Sequence, residues 1–151
     1  MSVFEQLWFT PDHTDPARVA RVLAATLDMT LTADGAHLIV SGRCDNGFDG
    51  PVGGAIDVND YTAMERKIDP EDFAIFDDVP MIWQLWAPVE TEEEQQAAAR
   101  AVFDRLAERL DWPAILTHDF DTLIATYDPE RGVREFAPGT LSDGRHRHLW
   151  A

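Results

Sequence analysis

Apolar and polar positions change period along the chain in a way that lays out most of its elements. Residues 3–9 are rich in aromatic and apolar side chains, a strand pattern that Thr10-Pro11 ends. Asp15 followed by Pro16 reads as a helix start, with the carboxylate as N-cap and proline at the first helical position. Val19, Val22, Leu23, Thr26 and Leu27 then recur at helical spacing and predict one buried stripe. Two short strands, 29–32 and 36–41, flank Ala33-Asp34-Gly35, where glycine supplies the positive φ of a hairpin turn.

From residue 80 a similar order returns. A strand over 81–87 is closed by Pro88. Thr91 with Glu94 forms a capping box, and Glu92 and Glu93 sit in the positive first turn of a second helix. Ala99, Val102, Phe103, Leu106 and Leu110 make its buried stripe. Strands over 114–117 and 122–127 flank the turn His118-Asp119-Phe120-Asp121, and a last strand over 133–136 follows the turn 128–132. The stretch 42–54, with five glycines, fits neither a dinucleotide fingerprint nor a P-loop. It reads as a long turn or an excursion at a sheet edge, with a strand over 55–58. Residues 59–79 commit to no single period, and 142–151 read as a flexible tail.

The two halves also share short identities. Glu5-Gln6-Leu7-Trp8 is echoed by Trp83-Gln84-Leu85-Trp86, and Leu27-Asp28 by Leu110-Asp111. Two strand-helix-strand-strand units, 3–41 and 80–127, with an acidic insertion over 43–79, are therefore expected within a single domain spanning 1–141. Each unit has one apolar helix stripe and a half-buried antiparallel hairpin. Pairing them predicts an α+β, two-layer sandwich: a mainly antiparallel sheet with two helices on one face. This doubled order resembles the gyrase-inhibitor-like small-molecule sensors. The resemblance implies a cationic or aromatic ligand bound in the cleft between the repeats, and carries over no particular residue.

Charge changes the picture next. The chain has 151 residues and a formal net charge of −16, with 28 Asp and Glu against 12 Lys and Arg. Such a surface argues against direct contact with nucleic acid or an anionic membrane. Cys44 is the one cysteine, which excludes an internal disulfide. No secretory leader or long apolar run is read, so a cytoplasmic protein is expected. The charge is also uneven. Residues 43–94 hold fourteen acidic residues against three basic ones. There Asp57, Asp60, Glu65, Asp69, Glu71, Asp72, Asp77 and Asp78 mix with Tyr61, Phe73 and Phe76. Carboxylates around aromatic anchors are what a surface that captures a basic protein needs, since charge speeds encounter and anchors hold the complex.

Candidate chemistry is thin. Asp57, Asp60, Asp77 and Asp78 lack the order of a calcium loop. His118, Asp119 and Asp121 read as a turn, and His146 with His148 supplies two ligands, too few for a closed metal site. Cys44 and Ser41 carry no nucleophile signature, so neither catalysis nor a cofactor is expected. Modest length, acidity, aromatic richness and the lack of a catalytic motif resemble the small acidic immunity proteins of bacterial polymorphic toxin systems. That resemblance implies a non-enzymatic module that occludes the active cleft of a basic toxin. The small-molecule sensor is the alternative.

Overall fold

The computed structural model describes residues 4–60 and 68–151. It is a two-layer α+β sandwich. An eight-stranded antiparallel sheet has the order β2-β3-β4-β5-β1-β6-β7-β8, where β1 is Glu5–Phe9, β2 Thr30–Asp34, β3 His37–Asp45, β4 Asp49–Val58, β5 Met81–Leu85, β6 Ala114–His118, β7 Thr122–Asp128 and β8 Gly132–Glu135. Helices α1 (Pro16–Thr26) and α2 (Glu92–Arg109) pack on one face.

The caps seen in the sequence start both helices. Asp15 Oδ1 accepts from the Ala17 amide at 3.2 Å, and Thr91 Oγ1 accepts from the Glu94 amide at 3.1 Å while donating to Glu94 Oε1 at 3.0 Å. Each such contact satisfies an amide that the helix itself leaves unpaired. The C-terminal end of α1 is held by α2. Buried Arg105 donates to the Leu27 carbonyl at 2.9 Å and to the Arg43 carbonyl at 3.2 Å, and Arg109 donates to the Thr26 carbonyl and to Asp28. Positive charge there meets the negative end of the α1 dipole.

The two crossovers explain why both helices share a face. β1 and β5 are antiparallel neighbours at the centre of the sheet. From β1 the chain crosses over α1 toward one edge, and from β5 it crosses over α2 toward the other. Strand direction and direction of step reverse together, so the crossovers have the same hand and both helices land on one side. The halves nevertheless differ in topology. After α1 the meander runs inward from the edge through β2, β3 and β4; after α2 it runs outward from the centre through β6, β7 and β8.

Alternation along the strands divides the sheet. Leu7, Phe9, Val40, Val52, Ile56, Trp83, Leu85 and Leu116 join Val19, Leu23, Val102, Phe103 and Leu106 in the helix-side core. Gln6, Trp8, Ile82, Gln84 and Thr117 face the other way. The glycine-rich stretch corrects the expectation of a turn or sheet-edge excursion. β3 continues to Asp45, a tight turn follows, and β4 runs for ten residues inside the sheet. A side chain at Gly53 would come within 2.3 Å of Ser41 Cβ, so this closely apposed ladder has room for hydrogen alone.

The described residues cover the second face only in part. Residues 68–79, including a 3₁₀ turn at Pro70–Asp72, form a strap seated on Trp8 of β1. Phe76 stacks on Trp8 with ring centroids 4.0 Å apart, and Phe120 meets the same indole edge-on. Asn59 donates to the Phe76 and Val79 carbonyls, and the Ile75 amide to the Ser142 carbonyl. Residues 142–151, expected as a flexible tail, form a 3₁₀ turn at Gly144–His146 and a short helix α3 (Arg147–Trp150). Gly144 is buried against the carbonyls of Glu71 and Phe73, which docks the tail on the strap.

Candidate functional site

Under the strap lies a chain of buried hydrogen bonds that fixes its seat. Trp8 Nε1 donates to Thr117 Oγ1 at 2.9 Å, and Thr117 donates in turn to Gln6 Oε1 at 3.0 Å. Gln6 Oε1 also accepts the Phe120 amide at 2.7 Å, while its Nε2 donates to the Phe4 carbonyl. Each polar atom in the chain gains a partner that water would otherwise supply.

The expected partner-binding residues separate into groups on this frame. Asp57 is exposed on the second face of β4, and Asp60 is exposed just beyond it; Tyr61 and Glu65 lie outside the described residues. Asp69, Glu71 and Asp78 are exposed on the strap. Asp72 is exposed too, but its carboxylate accepts the backbone amides of Ile68 and Asp69 at 3.3 and 3.1 Å. Half-buried Asp77 accepts the Ala74 amide at 2.9 Å. These two acids build turns. Phe73 is half-buried, and Phe76 faces inward onto Trp8 as an anchor for the strap itself. The strap thus buries aromatic surface and turns carboxylates outward.

Beside the strap, no described residue covers the second face around Ser41, Gly53, Ala55 and Trp86, which forms a trough of about 710 Å³. Small residues on this face create it: Ser41 lies opposite Gly53, and Ala55 opposite Ile39. Phe4, Pro51, Trp86 and Pro88 wall one end; His37 and Asp57 stand at the other. Phe4 and Trp86 are 40% and 44% exposed, high for aromatic side chains that share a hollow. The sequence pattern hid this site because 81–86 is apolar at all positions except Gln84. That glutamine was the one available signal, since alternation places Trp86 on its face and away from Trp83.

Other candidate groups have structural duties. Cys44 is buried, and burial pushes its thiol above the ordinary range, against nucleophilic use. His118, Asp119 and Asp121 do form a turn, with Asp119 and Phe120 at positive φ. Among the described residues no three His, Cys, Asp or Glu side chains converge to hold a metal ion. His118 Nδ1 instead meets the carboxylate of Glu5, which is 1% exposed and directly opposite it in the ladder.

Burial raises the Glu5 carboxyl above the ordinary glutamate range, and the contact with His118 offsets only part of that cost. A raised acid favours folding while protonated. Its contribution is full below the ordinary glutamate pKa of about 4.3 and is lost as pH rises through the higher folded value. Relative to Glu5→Gln, the unmodified protein is therefore expected to lose stability as pH rises from about 4.3 toward neutrality. Urea denaturation of both proteins across that range checks this; a difference that is constant or grows with pH would contradict it.

No helix among the described residues is long and apolar enough to cross a membrane. No family model, no curated protein and no solved structure matches the chain.

Proposed function

We propose that this chain is a non-enzymatic, cytoplasmic binding module that captures a basic protein, in the manner of an immunity protein that occludes the active cleft of a toxin. The observation that supports this reading is the strap. Phe76 and the docked tail fix it to the sheet, while Asp69, Glu71 and Asp78 project from it beside Asp60. Carboxylates on a segment anchored in this way meet a cationic cleft without first losing loop entropy. With a net charge of −16, it also accelerates encounter with such a partner.

The test is charge reversal where the carboxylates hold no backbone. Asp60→Lys, Glu71→Lys and Asp78→Lys are combined, and Asp69, Asp72 and Asp77 are kept for their turns. A partner is captured from the source cells at low salt, identified and purified. It is expected to be a basic protein whose activity the chain inhibits. The triple variant is expected to bind it at least tenfold more weakly and with a flatter dependence on salt, mainly through a slower on-rate. An identical affinity and salt slope for the two forms would sink this surface as the interface.

A further inference from the structure

The sheet carries two related tryptophans on its second face, and the described residues cover only one of them. The register pairs Gln6 with Gln84, so the two echoed Gln-Leu-Trp triplets start from one pair and run in opposite directions. Trp8 and Trp86 therefore lie at opposite ends of the β1–β5 pair, on the same face. Trp8 is fully buried because Phe76 lies flat against its indole, with 7° between the planes. Trp86 is bare. Beside Trp8 the next strand presents Ile115; beside Trp86 it presents Gly53, which deepens the hollow. The fold itself thus displays the kind of group such a hollow accepts, an aromatic ring stacked on indole.

The far end of the trough fixes the charge of the occupant. Gly53, Ala55 and Asp57 alternate along β4, so Asp57 stands about 13 Å from the aromatic end at roughly 3.3 Å per residue. Among the described residues, Asp57 is the one Asp, Glu, Lys or Arg that lines the trough. The volume of about 710 Å³ suits a small organic molecule. We propose that the trough is a binding site for an elongated organic cation, with its aromatic end stacked on Trp86 between Phe4 and Pro88 and its ammonium or guanidinium end paired with Asp57. The site is distinct from the strap carboxylates. Asp60, Glu71 and Asp78 do not line it, so either proposal can fail without the other.

Three probes of one shape test the assignment: 4-phenylbutylammonium, neutral 4-phenylbutanol and anionic 5-phenylpentanoate. Binding to the full chain at pH 8 is followed by titration calorimetry and by amide chemical shifts of Ile39, Ala55 and Trp86. The cation is expected to bind at least tenfold tighter than the alcohol, and the anion weaker than both. Asp57→Asn should bring the cation and the alcohol within about twofold, by loss of the charge pair alone. Ala55→Trp fills the trough and should abolish binding of all three, with an unchanged melting temperature showing that the fold is intact; if that variant is unstable, Trp86→Ala replaces it. Equal affinity for cation and alcohol, unchanged preference in Asp57→Asn, or no binding of the cation at millimolar concentration would overturn the proposal. So would a dimer of the unmodified chain in sedimentation that Ala55→Trp dissociates, since the trough would then belong to a second copy.

Discussion

Gly54→Ala is expected to destabilise the protein by at least about 3 kcal/mol, at the upper end of what overpacking costs. A Cβ at this position would stand 1.6 Å from the Gln84 carbonyl oxygen and 2.8 Å from its carbon. Both are backbone atoms in the neighbouring strand, so no rotamer change relieves the overlap. β4 and β5 must separate instead. That separation also strains the hydrogen bond from Trp83 Nε1 to the Gly54 carbonyl, 3.1 Å long, and the Gly53–Trp86 bridge. Gly35→Ala provides the comparison. Gly35 has φ +60°, and a Cβ there would meet nothing within 4 Å, so that variant faces backbone strain alone, about 1–2 kcal/mol. Chemical denaturation of both variants checks the ranking. A Gly54→Ala loss no larger than that of Gly35→Ala would mean that the two strands can part at little cost.

Trp8→Ala should cost about 3–5 kcal/mol, the usual range for removing a large buried aromatic. The indole is fully buried, stacks on Phe76 and starts the hydrogen-bond chain through Thr117 to Gln6. Its loss removes the seat of the strap as well as core volume. Phe76→Ala isolates the first of these effects, because it leaves the Trp8–Thr117 bond in place. Both variants should show faster proteolytic cleavage within 68–79, while Trp8→Ala alone should show the full loss of stability. A Trp8→Ala protein that keeps both the stability and the cleavage pattern of the parent would show that the strap is held by the tail and Asn59 instead.

These two sites also mark how far the sequence can be read. Asp15 and Pro16, the Thr91–Glu94 box and the turn at Gly35 set element boundaries through groups only a few residues apart; both caps appear as expected, while the hairpin turns at Gly35-Ala36 with Ala33 and Asp34 still in β2. The helix stripes likewise name the core residues Val19, Leu23, Val102 and Phe103. The glycine-rich stretch resembles a turn in sequence because the reason for its glycines lies in other strands: Gly53 faces Ser41 and Gly54 faces Gln84. Phe76 resembles an outward anchor for the same reason, since its partner Trp8 is 68 positions away in the chain.

Caps, turns and periodicity act over a few residues, so the helices, the hairpins and the two-layer class follow from the chain's local pattern, as the acidic charge follows from its composition. The strand order, the inward turn of the strap and the fate of the two echoed tryptophans depend instead on contacts between distant segments. β1 and β5 carry large apolar side chains on both faces, so their alternation cannot say which face a distant segment will cover. Phe76 reaches Trp8, no described residue covers Trp86, and that difference between two similar tripeptides places the trough beside Asp57.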